Sequence, residues 1–181
     1  MAALCDMLHL CVLTFLTLLF GQAALHKAGD VRRFSGYVAD YGVVAPALAL
    51  PVTWLLVVAE GAAMGLTLTP ATSASGLMLM GALLALYGGA MLLALRHGKR
   101  HIDCGCGGAT QPLSRLLVVR NAVLLALAGL AALTGGQPVA PLNLAVAILS
   151  GLVLWLGYQL LDQLLRLHSL RAQLSPGSVT P

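Results

Sequence analysis

The sequence is poor in charged and aromatic residues. Of its 181 residues only 9% are charged and 5% are aromatic, whereas 59% are hydrophobic. Soluble domains carry about 25% charged residues, and a chain of this length could not hide so much apolar surface in a single water-surrounded core. The composition therefore excludes an ordinary soluble domain and indicates an integral membrane protein, with the lipid bilayer as its main partner.

Basic residues are also too sparse and too scattered for nucleic-acid binding. The chain has ten Lys and Arg residues against six Asp and Glu, a net charge of +4. These ten are spread thinly around long apolar runs. We therefore expect them to be membrane-flanking anchors and expect no nucleic-acid partner.

Long apolar runs account for most of the chain. A membrane-spanning helix needs about 20 apolar residues, and five runs qualify: 4–25, 47–69, 75–95, 115–134 and 142–165. The first run lacks the basic start of a signal peptide and is longer than the usual apolar region of one, so we count it as a helix. The sequence predicts an all-α, polytopic transmembrane helical bundle, a four-helix core plus a fifth helix. We expect one integral membrane domain at 1–170 and a disordered tail at 171–181.

Two connections between these runs are long and polar, residues 26–46 and 96–114. In the first, apolar side chains at Phe34, Tyr37, Val38 and Tyr41 have helical spacing, which predicts a short interfacial helix after the first span. Five spans place both connections and the C-terminus on one face of the membrane. All ten basic residues lie on or near that face, and the positive-inside rule then makes it cytoplasmic.

Two of the four cysteines, Cys104 and Cys106, are separated by a single glycine in the loop "HIDCGCGG". A disulfide between them would close a small strained ring, and strained disulfides are readily reduced. Neighbouring positive charge favours the reactive thiolate. That charge comes from Lys99, Arg100 and His101. Asp103 opposes it or serves as a proton acceptor. We expect a redox-active pair.

Two other interpretations of this loop remain open. His97, His101, Cys104 and Cys106 could together bind a thiophilic metal ion, although the spacing is not that of a standard zinc site. The cysteines could also be free thiols without a role. Elsewhere, Cys5 and Cys11 are six residues apart on one helix and point in different directions, so we expect buried, inert thiols there.

Glu60 lies inside the second apolar run. A carboxyl group in the hydrocarbon is costly and indicates a functional site with a partner. Arg120 and Asn121 are the expected partners, and a polar contact between helices is as good an interpretation as a proton-bearing group. Asp162 and Arg166, spaced i and i+4, are expected to form a local ion pair.

The segments "DCGCGG" and "LHKAGDVRRFSGYVADYGVVAP" resemble the MauE family, within the DoxX-like group of membrane proteins. The resemblance extends from residue 10 to about 165. It implies a bacterial inner-membrane protein that works with an exported thioredoxin-like partner, MauD. Together they would support disulfide formation in the small subunit of methylamine dehydrogenase. The layout is also similar to vitamin K epoxide reductase, where the cysteine motif is C-x-x-C.

These implications lead to an expected function. The protein would be a thiol–disulfide oxidoreductase or redox adaptor in which Cys104 and Cys106 exchange disulfides, with electrons passing to a quinone or another dithiol. Lys99, Arg100, His101, Asp103, Arg120 and Glu60 would support the pair. The resemblance implies an exported pair, whereas the charge bias implies a cytoplasmic one. A metal carrier using the same loop and a non-redox membrane scaffold are the alternatives.

Overall fold

The computed structural model describes residues 2–98, 113, 115–134 and 140–174. The helices are α1 (Ala2–Gly29), α2 (Val31–Tyr41), α3 (Ala49–Thr67), α4 (Ser73–Arg96), α5 (Arg115–Thr134) and α6 (Pro141–Leu174), and a 3-10 turn at Pro46–Leu48 leads into α3. No strand occurs in these ranges. The predicted all-α class is confirmed.

Within the described chain, five helices are long and apolar enough to cross a membrane. These spans are Leu4–Gly29, Pro46–Thr67, Ser73–Arg96, Arg115–Thr134 and Pro141–Leu164. Each coincides with one predicted run, so the polytopic bundle is confirmed. α6 remains helical to Leu174, past the expected domain end at 170. Residues 175–181 of the expected tail lie outside the described residues, and the single-domain assignment stays a prediction.

Four of these helices form a ring, and the fifth packs outside it. α1, α3, α4 and α5 each contact two ring neighbours, whereas α6 packs mainly against α1. Close approaches along the interfaces show that successive spans are antiparallel. Along α1 and α3, Thr17 contacts Thr67 and Gly21 approaches Met64, so residue numbers rise on one helix as they fall on the other. The same holds for α3 with α4, from Gly76–Thr67 and Tyr87–Glu60, and for α4 with α5, from Gly81–Ala128 and Gly88–Asn121. α6 runs parallel to α1, because Gly151 approaches Thr14 and Gln159 contacts Gln22. The C-terminal ends of α1, α4 and α6 and the N-terminal ends of α3 and α5 therefore meet at one end of the bundle, which we call the loop end.

Small residues bring the helices of the ring close together. A Cβ atom on Gly76 would lie 2.9 Å from the Ala63 carbonyl oxygen and 2.7 Å from Thr67 Cγ2, so α3 and α4 are in backbone contact there. Such contacts drive association in a bilayer, where burying apolar surface supplies no gain. At the loop end a separate apolar cluster includes Leu113 and Leu117, which fix the start of α5 against α4.

The short helix α2 has the caps and the apolar face that its sequence predicts. Asp30 Oδ1 accepts a hydrogen bond from the Arg33 backbone N–H at 3.1 Å, and Gly42 ends the helix at a φ of 70°. Such side-chain and left-handed glycine caps satisfy backbone groups at helix ends. The predicted apolar residues Phe34, Tyr37, Val38 and Tyr41 are half-buried. The helix packs chiefly on α3, and its place in a lipid interface stays a prediction.

Candidate functional site

Glu60 lies on the face of α3 that points into the ring. The buried residues of this helix follow helical spacing, at Ala49, Thr53, Glu60, Ala63 and Thr67. The Glu60 side chain has 0% exposure. A carboxylate placed so deeply requires a counter-charge and hydrogen-bond donors.

Lys27 of α1 supplies that counter-charge. Its ammonium group donates a hydrogen bond to Glu60 Oε1, and only 3% of the side chain is exposed. Lys27 continues the buried stripe of α1 that runs through His9, Leu16 and Phe20. The prediction that all ten basic residues are membrane-flanking anchors is therefore wrong for Lys27, because the end of α1 is drawn into the bundle by this ion pair.

A second donor and two aromatic rings complete the Lys27–Glu60–Tyr87 cluster. The Tyr87 hydroxyl of α4 donates to Glu60 Oε1 at 2.7 Å. Lys27 Nζ lies 5.0 Å from the centroid of the Tyr87 ring and 5.2 Å from that of Phe34 on α2, within the range of cation–π attraction. The cluster thus joins four helices. Glu60 Oε2 is buried and has no hydrogen-bond partner among the described residues.

The expected partners of Glu60 are engaged elsewhere, so that prediction is wrong. Arg120 Nη1 lies 3.6 Å from Asp162 Oδ1, linking α5 to α6. The Asn121 side-chain amide donates to Met91 Sδ at 3.4 Å. Asp162 was expected to pair with Arg166, whose side chain lies outside the described residues. Arg120 and Asp162 are more accessible than the Glu60 pair, at 20% and 13% exposure.

The predicted cysteine site cannot be placed against this cluster, because residues 99–112 lie outside the described residues. Those residues include Cys104, Cys106 and their predicted supporters Lys99, Arg100, His101 and Asp103. Of the alternative metal ligands only His97 is described, exposed at the end of α4. In the described part of the chain no three His, Cys, Asp or Glu side chains are grouped to hold a metal.

The two cysteines of α1 are free thiols, as expected. Cys11 is buried, whereas Cys5 is exposed, so burial is confirmed for Cys11 only. Both lie toward the N-terminal end of α1, which is opposite the loop end. They therefore serve as internal controls for chemistry assigned to Cys104 and Cys106.

Sequence reasoning missed Lys27, Tyr87 and Phe34 as members of the cluster. For Lys27 a signal was present, because it follows Leu16 and Phe20 at helical spacing on the inward stripe. Phe34 was predicted only as part of the apolar face of the short helix, and a tyrosine in an apolar run, such as Tyr87, indicates packing or anchoring by residue type alone. Their role depends on which helices are neighbours, and a single sequence does not show this.

Comparison with known proteins agrees with the MauE resemblance. The family model described as methylamine utilisation protein MauE matches residues 5–134. The protein named methylamine utilization protein MauE in Paracoccus denitrificans is 39% identical over 150 residues, covering 80% of each chain. Its namesake in Methylorubrum extorquens is 40% identical over 153 residues, covering 81% of this chain and 82% of the relative. No solved structure matches. The matched range contains most of α1, all of α2 to α5 and the Cys-Gly-Cys segment, and on this evidence the chain belongs to the MauE family.

Proposed function

We propose that this protein acts in methylamine utilisation as a thiol–disulfide redox protein of the bacterial inner membrane, with Cys104 and Cys106 as the exchanging pair. The observation that carries the proposal is the position of the Asp-Cys-Gly-Cys-Gly element. It lies inside the range matched by the MauE family and in the connection between two spanning helices, α4 and α5. A pair that exchanges disulfides with a partner protein is expected in a connection between spans rather than within a span.

Charge at the two ends of this connection supports thiolate chemistry. Arg96 closes α4 and Arg115 opens α5, and both side chains are exposed at the loop end. Leu113, two residues before α5, is buried in the apolar cluster there. Positive charge near a thiol favours the nucleophilic thiolate over the neutral thiol.

The proposed reaction is disulfide exchange with a thioredoxin-like, MauD-like partner. One thiolate of the reduced partner attacks the Cys104–Cys106 disulfide, forming a mixed disulfide and releasing the other cysteine as a thiolate. The second thiolate of the partner then attacks the mixed disulfide. The partner dissociates in its disulfide form, and Cys104 and Cys106 are left as a dithiol. Two electrons and two protons have thus passed from the partner to this pair. The oxidised partner would supply disulfides to the small subunit of methylamine dehydrogenase.

Cysteine substitution in cells that grow on methylamine tests this function. We expect Cys104→Ser and Cys106→Ser each to abolish maturation of the small subunit while the membrane level of the protein stays normal. Cys11→Ala is the matched control, because its thiol is buried on α1, and it should mature the client normally. Normal maturation in both single serine variants would overturn the proposal.

Two further measurements sharpen the result. A membrane-impermeant, mass-shifting maleimide applied to intact cells should label Cys104 and Cys106 only after reduction if the pair is an exported disulfide. The histidine variants His97→Ala and His101→Ala should retain maturation with only a lower rate. Complete loss in both would point instead to a metal-binding role of the loop.

A further inference from the structure

The Lys27–Glu60–Tyr87 cluster is larger than a structural ion pair requires. Two donors converge on Glu60 Oε1, while Oε2 of the same carboxylate is fully buried and unpartnered among the described residues. A buried acceptor left without a donor is costly, and more so when it is charged. Retaining such a group inside an apolar bundle is explained if Oε2 is the atom that accepts a proton.

The aromatic rings allow Glu60 to change its charge without losing Lys27. When Glu60 is a carboxylate, Lys27 is held by the ion pair. When Glu60 takes up a proton, the ammonium still lies against the faces of Tyr87 and Phe34, at 5.0 and 5.2 Å. Cation–π contacts are stronger when the cation is desolvated, and here they offset part of the lost attraction. The cluster can therefore exist with and without an added proton.

Among the described residues, few charged groups face this carboxyl group. Lys27 is the charged group that faces it from α1, and Tyr87 is the titratable group that faces it from α4. From α2 the ring of Phe34 faces the cluster, while Arg32, Arg33 and Asp40 of that helix are exposed. In the described part of the chain, the carboxyl group of Glu60 is thus surrounded by a small set of named neighbours.

We propose that the Lys27–Glu60–Tyr87 cluster is the proton-transfer site through which the thiol pair reduces a lipid-soluble quinone, an inference that rests on the proposed thiol–disulfide function. An acceptor dissolved in water, such as another protein's disulfide, would exchange its protons with bulk water and would need no carboxyl group among the spans. An acceptor that is reduced within the bilayer does need such a carboxyl group, because bulk water is not available there as a source of protons. Tyr87 lies nine residues before the end of α4, roughly 13 Å along the helix axis, within the apolar span.

The reaction balances with a quinone as oxidant. Oxidation of the Cys104–Cys106 dithiol to the disulfide releases two electrons and two protons, and reduction of a quinone to its hydroquinone takes up two of each. Glu60 accepts a released proton at Oε2, becoming a carboxylic acid, and transfers it to a reduced quinone oxygen. It then returns to the ion pair with Lys27, and the second proton follows the same route.

The test is a single-turnover reaction of the full-length protein in lipid nanodiscs. The protein is reduced, freed of reductant and mixed with ubiquinone-1, and oxidation of Cys104 and Cys106 is followed by mass-shift alkylation over a range of pH. A parallel reaction with the water-soluble disulfide dithionitrobenzoate measures thiol reactivity alone. Glu60→Gln should slow the quinone reaction about 100-fold, at the lower end of what general acid–base catalysis supplies, and should flatten its pH dependence.

Two companion variants separate proton transfer from folding. Lys27→Met/Glu60→Gln removes both charges together, so it avoids an unpaired buried ion and should show the same slow quinone reaction. Thr17→Val removes another α1–α3 contact, the 3.0 Å bond between the Thr17 and Thr67 hydroxyls, and should react at the wild-type rate. All variants should react with dithionitrobenzoate as the wild type does.

The outcomes distinguish this inference from the function on which it rests. The inference is overturned if both Glu60 variants reduce the quinone at the wild-type rate, or if they slow both reactions equally, which would mean a structural effect. It is also overturned if the wild-type dithiol ignores ubiquinone-1 but still exchanges with a thioredoxin-like partner. Failure to exchange with any such partner would instead refute the proposed function.

Discussion

Removing one charge of the Lys27–Glu60 pair should destabilise the bundle more than removing both charges. With 3% and 0% exposure, neither side chain can turn to water when its partner is lost. Removing one member of a buried pair costs about 3–5 kcal/mol, whereas replacing both by neutral groups of similar size is often neutral or stabilising. We therefore expect Lys27→Met and Glu60→Gln each to lower the free energy of unfolding by about 4 kcal/mol.

The double variant should recover most of this loss. Glutamine retains an oxygen that can accept the 2.7 Å hydrogen bond from the Tyr87 hydroxyl, and methionine fills the space of the lysine stem with a flexible apolar chain. The double variant should unfold within about 1 kcal/mol of the wild type, as expected when a buried pair is replaced as a unit. The interaction energy of the double-mutant cycle then measures the coupling between the two side chains.

The assay is reversible unfolding in phospholipid bicelles, with steric trapping used to measure the free energy of unfolding. Arg120→Met and Asp162→Asn form the matched cycle, because this pair is also interhelical but is longer, at 3.6 Å, and partly exposed. Its coupling should be about 1 kcal/mol or less. If Lys27→Met and Glu60→Gln cost no more than this control pair, or if their costs simply add, the buried pair is not the central contact that the structure indicates.

Two glycine substitutions test the close helix contacts. Gly76→Ala should destabilise the α3–α4 interface by about 1–3 kcal/mol, the usual cost of overpacking, because the new Cβ would lie 2.9 Å from a backbone oxygen of α3. Gly151→Ala should loosen α6 from α1, since its Cβ would lie 2.7 Å from both the Cys11 carbonyl oxygen and Thr14 Cβ. Thermal unfolding measures both, with Gly157→Ala as control because it has no neighbour within 4 Å. Equal melting temperatures for all three variants would contradict the packing.

The spans could be predicted because the bilayer sets their length. A run such as 115–134 is long and apolar enough by itself, and the structure has α5 over Arg115–Thr134. The short helix after the first span was predicted from the spacing of Phe34, Tyr37, Val38 and Tyr41. Both features depend on neighbours in the sequence alone.

The partner of Glu60 could not be predicted in this way. Its burial followed from its place in an apolar run. Either of two cations, Arg120 or Lys27, could contact it, depending on how the helices pack. The choice depends on how far α1 is shifted along α3. That shift places Lys27, two residues before the helix end in sequence, at the depth of Glu60.

Polar contacts and close glycines supply the information that the apolar faces lack. Leucine-rich surfaces pack almost equally well in neighbouring registers and against lipid, so they define a bundle without fixing its alignment. A slip of α1 along α3 by one turn, about 5.4 Å, would break the Lys27–Glu60 pair and the Thr17–Thr67 hydrogen bond together. The 2.6 Å hydrogen bond from the Gln159 side-chain amide to Gln22 Oε1 fixes the alignment of α6 along α1 in the same way. The ion pair that we assign to proton transfer therefore also sets the register of α1, the helix that leads into α2.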